Sequence, residues 1–203
     1  MPRPYLAHLG VFDILHNTRV NGPGRRNLLV VRGCTIKCPG CANRSTHRPA
    51  EKLTTVLEVA TRLLEGYPDG ITISGGEPFE QLPAIALLCY MLRYKRRDLS
   101  IILYTGLEVG DAVRARDALA SDNLMGLEVD VIFHGPYKKD LRITDKEREG
   151  LCLPVGSRNQ GALLLSDRHS LLELMTRNVS EVHVNSDGSA VSTGFPNTQE
   201  EAE

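Results

Sequence analysis

Residues 27–47, NLLVVRGCTIKCPGCANRSTH, join a short apolar run to a loop that holds three of the five cysteines of the chain. The run at 27–31 predicts a β-strand that is buried on both faces, because it is short and almost entirely apolar. The residues after it include Gly33, Pro39 and Gly40, which predict a loop rather than a continued strand. The cysteines therefore follow directly on the carboxyl end of a buried strand.

Further strands and helices alternate along the next hundred residues. Strands are predicted at 70–74, 99–104 and 129–134, and helices at 54–65, 81–97 and 109–121. This alternation predicts right-handed βαβ units and a mainly parallel sheet. So few units cannot close an eight-fold barrel. We therefore expect an α/β fold, a small partial (β/α) barrel, with its ligand site at the carboxyl ends of the strands.

The end of the chain has a different pattern. A helix is predicted at 167–175, followed by a β-hairpin with strands at 181–184 and 190–193. Four residues at 186–189 carry the turn signal of this hairpin, and the last residues are polar enough to predict a frayed tail. We therefore divide the chain into a main domain, residues 1–165, and a C-terminal extension of helix, hairpin and tail, residues 166–203.

The composition excludes several classes of protein. The 203 residues carry 24 Lys and Arg against 25 Asp and Glu, a balance that argues against a nucleic-acid-binding protein. No apolar run reaches the length of a membrane span, and the N-terminus has no signal-peptide pattern, so we expect a cytoplasmic protein without a membrane partner. The cysteine count is odd, which favours a metal or redox site over disulfides. Cys89, on an apolar helical stripe, is assigned to the core, and Cys152 is assigned no ligand role.

Cys34, Cys38 and Cys41 form a C-x3-C-x2-C array, so their thiolates can converge on one metal centre. Zinc would need a fourth ligand, for which His47 is the nearby candidate. An iron–sulfur cluster held by three cysteines would keep one iron open to another ligand. The remaining alternative, reduced cysteines without a metal, fits poorly because free cysteines normally lie on apolar elements.

The array and several other motifs resemble one family. Ser74-Gly75-Gly76-Glu77-Pro78 follows the second predicted strand, and its two glycines let the backbone approach a ligand closely. The other matching segments are Asn21-Gly22-Pro23-Gly24-Arg25, Cys38-Pro39-Gly40-Cys41 with Asn43, Ser45 and Thr46, Tyr104-Thr105-Gly106, Gly135-Pro136-Tyr137 and Gly156-Ser157-Arg158-Asn159-Gln160. Together they are similar to radical S-adenosylmethionine (SAM) enzymes. Within these, they most resemble the activating proteins of glycyl-radical enzymes, in particular of anaerobic ribonucleoside-triphosphate reductases.

The resemblance implies an oxidoreductase of the radical SAM partial-barrel type, with a [4Fe–4S] cluster and SAM as cofactors. The implied cluster ligands are Cys34, Cys38 and Cys41, and SAM binds the fourth iron. The residues implied to bind SAM are Ser74, Gly75, Gly76 and Glu77 at its methionine part, and Thr105 and His134 near its ribose or carboxylate. Reductive cleavage of SAM would give a 5′-deoxyadenosyl radical that takes hydrogen from a glycine of a partner enzyme, such as anaerobic ribonucleotide reductase. The segment implied to contact this partner is Asn21, Gly22, Pro23, Gly24 and Arg25.

Two departures from the family pattern leave the substrate open. His134 stands where the family usually has an acidic residue, and Arg158 interrupts a Gly-Ser-Ser-Asn-Gln segment. Together with the added extension, these departures leave open an alternative function, that of a radical SAM enzyme that acts on a small molecule or a peptide. A non-catalytic zinc or iron–sulfur binding module is the other alternative, but it gives no purpose to residues 74–78.

The segment from residue 14 to residue 50 has no acidic residue and seven basic ones: Arg19, Arg25, Arg26, Arg32, Lys37, Arg44 and Arg48. Because the cysteine array lies within it, this segment could attract an acidic electron donor, reduced flavodoxin or ferredoxin. The alternative is a solvated basic face that partly neutralises the cluster and its thiolates.

Overall fold

A computed structural model of the chain describes residues 7–121, 126–175, 180–184 and 188–194. Its strands are β1 (His8–Leu9), β2 (Val11–Thr18), β3 (Arg26–Val31), β4 (Thr54–Thr55), β5 (Gly70–Gly75), β6 (Ser100–Tyr104), β7 (Val131–His134), β8 (Gly161–Leu164), β9 (Ser180–Val184) and β10 (Ala190–Gly194). Its α-helices are α1 (Val56–Leu63), α2 (Leu82–Lys95), α3 (Val109–Ser121), α4 (Asp145–Arg148) and α5 (Leu171–Leu174). The predicted alternation of strands and helices from β3 to β7 is confirmed.

Six strands form the central sheet, in the order β2-β3-β5-β6-β7-β8. The four inner strands are parallel, whereas β2 and β8 run antiparallel to their neighbours at the two sides. Arg26 pairs with Gly70 and Gly70 with Ser100, so these strands begin at a common N-terminal edge. Val31 pairs with Gly75 at the opposite, C-terminal edge. The expected α/β class with a mainly parallel sheet is confirmed.

Each face of the sheet packs against a separate cluster of apolar side chains. Along β6, Ile101 and Leu103 belong to the main core, which the strands share with α1 and α2. Ile102, between them, belongs to a second cluster on the other face, together with Phe133 and Leu174. Because both faces of the inner strands are buried, their sequences are continuous apolar runs. Within the described residues, no helix is both long and apolar enough to cross a bilayer.

Strands β2 and β8, at the two sides of the sheet, were not predicted. The pairing of β2 with β3 shifts register twice, between Val11 and Asp13 and between Leu15 and Thr18. These irregularities break the period-2 pattern by which a half-buried strand is recognised. Strand β8 has only four residues, and none of them is fully buried. Short strands of this kind give little pattern to read.

The hairpin of the extension is confirmed as the antiparallel pair β9 and β10, with Val184 opposite Ala190. The predicted turn at 186–189 lies partly outside the described residues, which lack 185–187, and residues 1–6 and the polar tail lie outside them as well. The helix expected at 167–175 is shorter, because it begins after Ser170. That residue caps α5 in a capping box with Glu173, which fixes the start of the helix.

Arg26, the first residue of β3, is fully buried at the N-terminal edge. Its guanidinium donates hydrogen bonds to the hydroxyl of Thr72 (2.7 Å) and to the carbonyl oxygens of Ile71 (2.7 Å) and Pro23 (3.0 Å). Two further bonds reach the hydroxyl and carbonyl oxygens of Ser100. Burial lowers the pKa of Arg26 to about 10. The side chain thus anchors the segment at 21–25 to the N-terminal edge of the sheet.

Candidate cluster and cofactor site

The three cysteines of the array lie on one loop that follows β3 at the C-terminal edge. All three are free thiols and partly exposed. The backbone N–H of Cys41 donates to the carbonyl of Cys38 (3.2 Å), and the N–H of Cys34 donates to the carbonyl of His47 (3.2 Å). The loop therefore folds back on itself and presents its sulfurs on one short stretch of chain.

Burial raises the pKa of two thiols of this loop, Cys34 and Cys41. The neighbouring thiols of Cys38 and Cys34 raise the pKa of Cys41 further. Binding of iron must displace protons from these thiols, since the thiolate is the ligand.

The donor set can be compared with the two metal centres expected from the sequence. Within the part of the chain that is described, no three side chains of His, Cys, Asp or Glu are arranged to hold a single ion. The Nε2 atom of His47 is buried and has no hydrogen-bond partner there. A [4Fe–4S] cluster makes a different demand, because each thiolate binds a separate iron. Three free, adjacent thiols fit that group.

The glycine loop at residues 74–77 packs its backbone directly against the cysteine loop. The N–H of Gly76 donates to the carbonyl of Val31 (2.9 Å), and the N–H of Glu77 donates to the carbonyl of Gly33 (2.7 Å). Gly75 has φ +109°, and a Cβ there would lie 2.6 Å from the backbone nitrogen of Val31. A Cβ on Gly76 would overlap the carbonyl oxygen of Gly33. Both glycines are thus required by contact with the chain itself.

The carboxylate of Glu77 links the loop after β5 to the loop after β6. Its Oε1 accepts hydrogen bonds from the N–H of Phe79 (2.9 Å) and the hydroxyl of Thr105 (2.8 Å), and its Oε2 accepts one from the N–H of Gly106 (2.8 Å). The residue is only 2% exposed. Burial raises the pKa of Glu77, and the hydrogen bonds oppose that shift. Glu77 and Thr105, predicted separately, are therefore hydrogen-bonded partners.

Several buried polar atoms around the C-terminal edge have no partner among the described residues. They are His47 Nε2, His134 Nδ1 and Asn159 Oδ1. Burial lowers the pKa of His134, which ends β7. A buried polar group without a hydrogen bond costs about 1–3 kcal/mol, so such groups favour a polar ligand that pairs with them. These unpaired atoms fit the polar groups of SAM.

Asn159 was not among the predicted site residues. It belongs to the motif at 156–160, which is the signal that could have pointed to it. Its significance depends on the absence of a hydrogen-bond partner, which the residue type alone does not reveal.

A family model described as "4Fe-4S single cluster domain" matches residues 20–161 of the chain. The anaerobic ribonucleoside-triphosphate reductase-activating protein of Enterobacteria phage T4 is 35% identical over 128 residues, which are 60% of this chain and 77% of that protein. The chain belongs to the radical SAM glycyl-radical activating proteins. The protein of the same name from Escherichia coli K12 is 30% identical over 131 residues, 61% of this activating protein and 81% of the relative.

A second kind of activating protein is also similar. The pyruvate formate-lyase-activating enzyme of Staphylococcus aureus USA300 is 36% identical over 77 residues, 34% of this activating protein and 31% of the relative. The cofactors of this activating protein are a [4Fe–4S] cluster and SAM. The family match includes every predicted site residue and ends before the C-terminal extension.

The structure brings the predicted site residues together in two separate places. The cysteine loop, the glycine loop, Thr105 and His134 lie at the C-terminal edge of the sheet. The predicted partner-contact segment at 21–25 lies at the N-terminal edge, where Arg26 holds it. The six residues of β3 separate the two places by about 20 Å.

The basic residues of the segment 14–50 are divided in the same way. Lys37, Arg44 and Arg48 are exposed on or beside the cysteine loop. Arg32 lies over the ring of Phe12 at 4.7 Å. The other three, Arg19, Arg25 and the buried Arg26, lie at or near the N-terminal edge. The surface charge near the cysteines is therefore smaller than the sequence count of seven suggests.

Proposed function

We propose that this protein activates a glycyl-radical enzyme of the anaerobic ribonucleoside-triphosphate reductase class by removing a hydrogen atom from one of its backbone glycines. The observation that carries the proposal is the packing of the glycine loop, backbone to backbone, against a loop with three free cysteines. The names of the phage T4 and Escherichia coli relatives support this partner class. All five cysteines are free, which supports action in the cytoplasm.

In this proposal the sheet is part of a radical SAM partial barrel. Cys34, Cys38 and Cys41 hold the cluster, and the backbone at Ser74, Gly75 and Gly76 receives the methionine part of SAM. When bound, the cluster and SAM supply one-electron reduction and hydrogen abstraction. His134 offers Nδ1, an unpaired buried atom, to the ribose or carboxylate.

Glu77 has a positioning role in the proposed mechanism. Its carboxylate is occupied by Phe79, Thr105 and Gly106, so it fixes two cofactor-binding loops relative to each other. A preorganised site of this kind lowers the cost of ordering the loops when SAM binds.

The departure at Arg158 gives no support to a small-molecule substrate. Its guanidinium donates to the carboxylate of Glu147 at 2.8 and 3.0 Å, on the exposed surface. These hydrogen bonds lower the pKa of Glu147 to about 2. Arg158 is thus engaged in a surface ion pair instead of extending into the cofactor site.

The function is tested with the full chain, reconstituted anaerobically and mixed with the anaerobic ribonucleoside-triphosphate reductase of the source organism. The EPR doublet of a glycyl radical is expected when reductant, SAM and reductase are all present, and in no mixture that lacks one of them. Deoxyadenosine formation that responds to a small metabolite, with no glycyl radical on the reductase, would contradict the proposal and favour the small-molecule alternative.

The electron donor in this proposal is reduced flavodoxin or ferredoxin, which docks beside the cysteine loop. Reversing two exposed charges there, in the pair Arg44→Glu and Arg48→Glu, is expected to slow cluster reduction by flavodoxin about tenfold at low salt. The measurement is the rate of cluster bleaching after rapid mixing. Reduction by dithionite is expected to keep its wild-type rate.

The matched control reverses Lys95 and Arg97, two exposed cations near the start of β6 at the opposite edge of the sheet. This control has the same net charge as the test variant. Equal slowing in both variants, or equal slowing with dithionite, would rule out docking at the cysteine loop.

A further inference from the structure

The carboxylate of Glu80 is hydrogen-bonded to the cysteine loop, one residue past Cys34. Its Oε1 accepts two hydrogen bonds from Thr35, one from the backbone N–H (2.6 Å) and one from the hydroxyl (2.6 Å). Its Oε2 lies 3.8 Å from the position that a Cβ on Gly33 would take. The carboxylate therefore lies beside the residues that precede and follow Cys34. Glu80 is not part of any motif by which the site was predicted.

Glu80 belongs to a short 3₁₀ turn, Pro78–Gln81, which follows directly on the glycine loop. This turn holds the chain on both sides of Cys34. On the N-terminal side, Nε2 of Gln81 donates a hydrogen bond to the carbonyl of Arg32 at 2.9 Å. On the C-terminal side, Glu80 accepts the two hydrogen bonds described above. Hydrogen bonds to a carboxylate are stronger than those between neutral groups, so Glu80 contributes most to fixing this part of the cysteine loop.

The charge of Glu80 contrasts with that of the segment it contacts. The cysteine loop lies within the segment 14–50, which has seven basic residues and no acidic one. The fold thus brings a carboxylate from a distant part of the sequence to a loop that carries none of its own. Glu80 is exposed, so its carboxylate is not buried as that of Glu77 is. An exposed carboxylate stays ionised at neutral pH, and its field is weakened by dissolved salt.

A fixed negative charge beside Cys34 has a consequence for a cluster bound there. Reduction adds a negative charge to the cluster, and a carboxylate close by opposes that addition. The reduction potential of an iron–sulfur cluster depends on the charge around it, on hydrogen bonds and on exposure to solvent. Glu80 is therefore expected to lower the potential. A cluster of lower potential is harder to reduce, and once reduced it is a stronger electron donor to SAM.

We propose that Glu80 is a positioning residue of the cluster site, which holds the chain around Cys34 and lowers the reduction potential of the cluster through its charge. The inference rests on the proposed function in one respect, the assignment of Cys34 as a cluster ligand. It does not depend on which enzyme is the partner. The electron still comes from the reduced donor protein, and Glu80 sets how readily the cluster accepts it.

Glu80→Gln separates the charge from the hydrogen bonds, because the amide oxygen can still accept both bonds from Thr35. The midpoint potential is measured by a redox titration of the reconstituted full chain, followed by EPR, without SAM and without the reductase. At a fixed applied potential, the ratio of reduced to oxidised cluster is expected to rise about threefold, a shift of about 30 mV for one electron. The shift is expected to shrink at about 1 M salt, which screens an exposed charge.

The matched control is Glu173→Gln at the N-terminal edge of the sheet, where Glu173 borders a cleft next to residues 22–25. Glu173 is exposed, and its Oε2 accepts hydrogen bonds from the N–H (2.7 Å) and the hydroxyl (3.0 Å) of a single residue, Ser170. The control thus removes the same charge from the same kind of contact, at the edge opposite the cysteine loop. Its midpoint potential is expected to equal that of the wild type.

A second variant, Glu80→Ala, removes the hydrogen bonds to Thr35 as well as the charge. It is expected to raise the midpoint potential as Glu80→Gln does, and in addition to lose iron to a chelator about threefold faster than the wild type. Glu80→Gln is expected to lose iron at the wild-type rate, since its contact with the loop is kept. Four irons per chain after reconstitution, in each variant, exclude misfolding as the cause of a shifted potential.

The outcomes separate this inference from the proposed function. A wild-type potential in Glu80→Gln refutes the role of the charge, and so does an equal rise in Glu173→Gln or a rise that high salt leaves unchanged. Iron loss from Glu80→Ala at the wild-type rate refutes the positioning role. The proposed function stands in all these cases, because it is measured by the glycyl radical on the reductase. If no glycyl radical forms but the potential shifts as expected, the function fails and the role of Glu80 stands.

Discussion

Cys38→Ala is expected to lose the iron–sulfur cluster and SAM cleavage together. Three protein thiolates hold the cluster in the proposed site, and a variant with two cannot complete the set. Neither of the other two cysteines can replace the missing thiolate. Cys89 is fully buried in α2, with a pKa raised by burial to about 12, and Cys152 lies in a separate segment beyond β7. Iron and sulfide are counted per chain after anaerobic reconstitution, and deoxyadenosine is measured with excess dithionite.

Cys152→Ala is the matched control, since it removes a partly exposed thiol from outside the cysteine loop. It is expected to keep the iron content and the rate of SAM cleavage of the wild type. A Cys38→Ala protein that retains four irons per chain and cleaves SAM would refute the assignment of the ligands. Binding of one zinc ion by the wild type, in place of a cluster, would refute it as well.

Glu77→Gln is expected to weaken SAM binding about tenfold. The amide has the size of the carboxylate, but one of its two acceptors becomes an NH₂ group, which then faces either Gly106 or the N–H of Phe79 and the hydroxyl of Thr105. A buried donor left without an acceptor costs about 1–3 kcal/mol, and 1.4 kcal/mol corresponds to a factor of ten in affinity. The loops after β5 and β6 then lose their fixed separation. The dissociation constant of SAM is measured by titration of the reconstituted protein.

The control for Glu77→Gln is Glu147→Gln, which also removes a hydrogen-bonded carboxylate, but on the exposed surface beside Arg158. SAM affinity and iron content are expected to remain at their wild-type values in this control. If Glu77→Gln binds SAM as tightly as the wild type, the link between the two loops is not what positions the cofactor.

The sequence predicted the inner part of the fold well because its signals are local. Strands β3, β5, β6 and β7 are buried on both faces, so each leaves an apolar run that can be read without knowing its neighbours. The cap of α1 is equally local, since Thr55 accepts a hydrogen bond from the N–H of Glu58 (3.2 Å). Strand β2 was missed because its irregular pairing with β3 removes the alternation on which prediction depends.

The sequence predicted which residues form the site, but it did not predict the hydrogen bonds between them. Glu77 was expected to face SAM, and its contacts with Thr105 and Gly106 depend on how two distant loops meet. Arg26 was counted as surface charge, yet it is fully buried. Its guanidinium donates five hydrogen bonds, and four of them go to residues far along the chain, Ile71, Thr72 and Ser100. No local pattern distinguishes such an arginine from an exposed one.

The two hydrogen bonds from the glycine loop to Val31 and Gly33 have a consequence for how this protein responds to oxygen. Because they join the cysteine loop to the glycine loop, ordering of either loop lowers the entropic cost of ordering the other. Binding of the cluster and binding of SAM then strengthen each other by the same factor, as in any linked equilibrium. Oxidative loss of iron would release SAM, and saturation with SAM would slow the decay of the cluster in air.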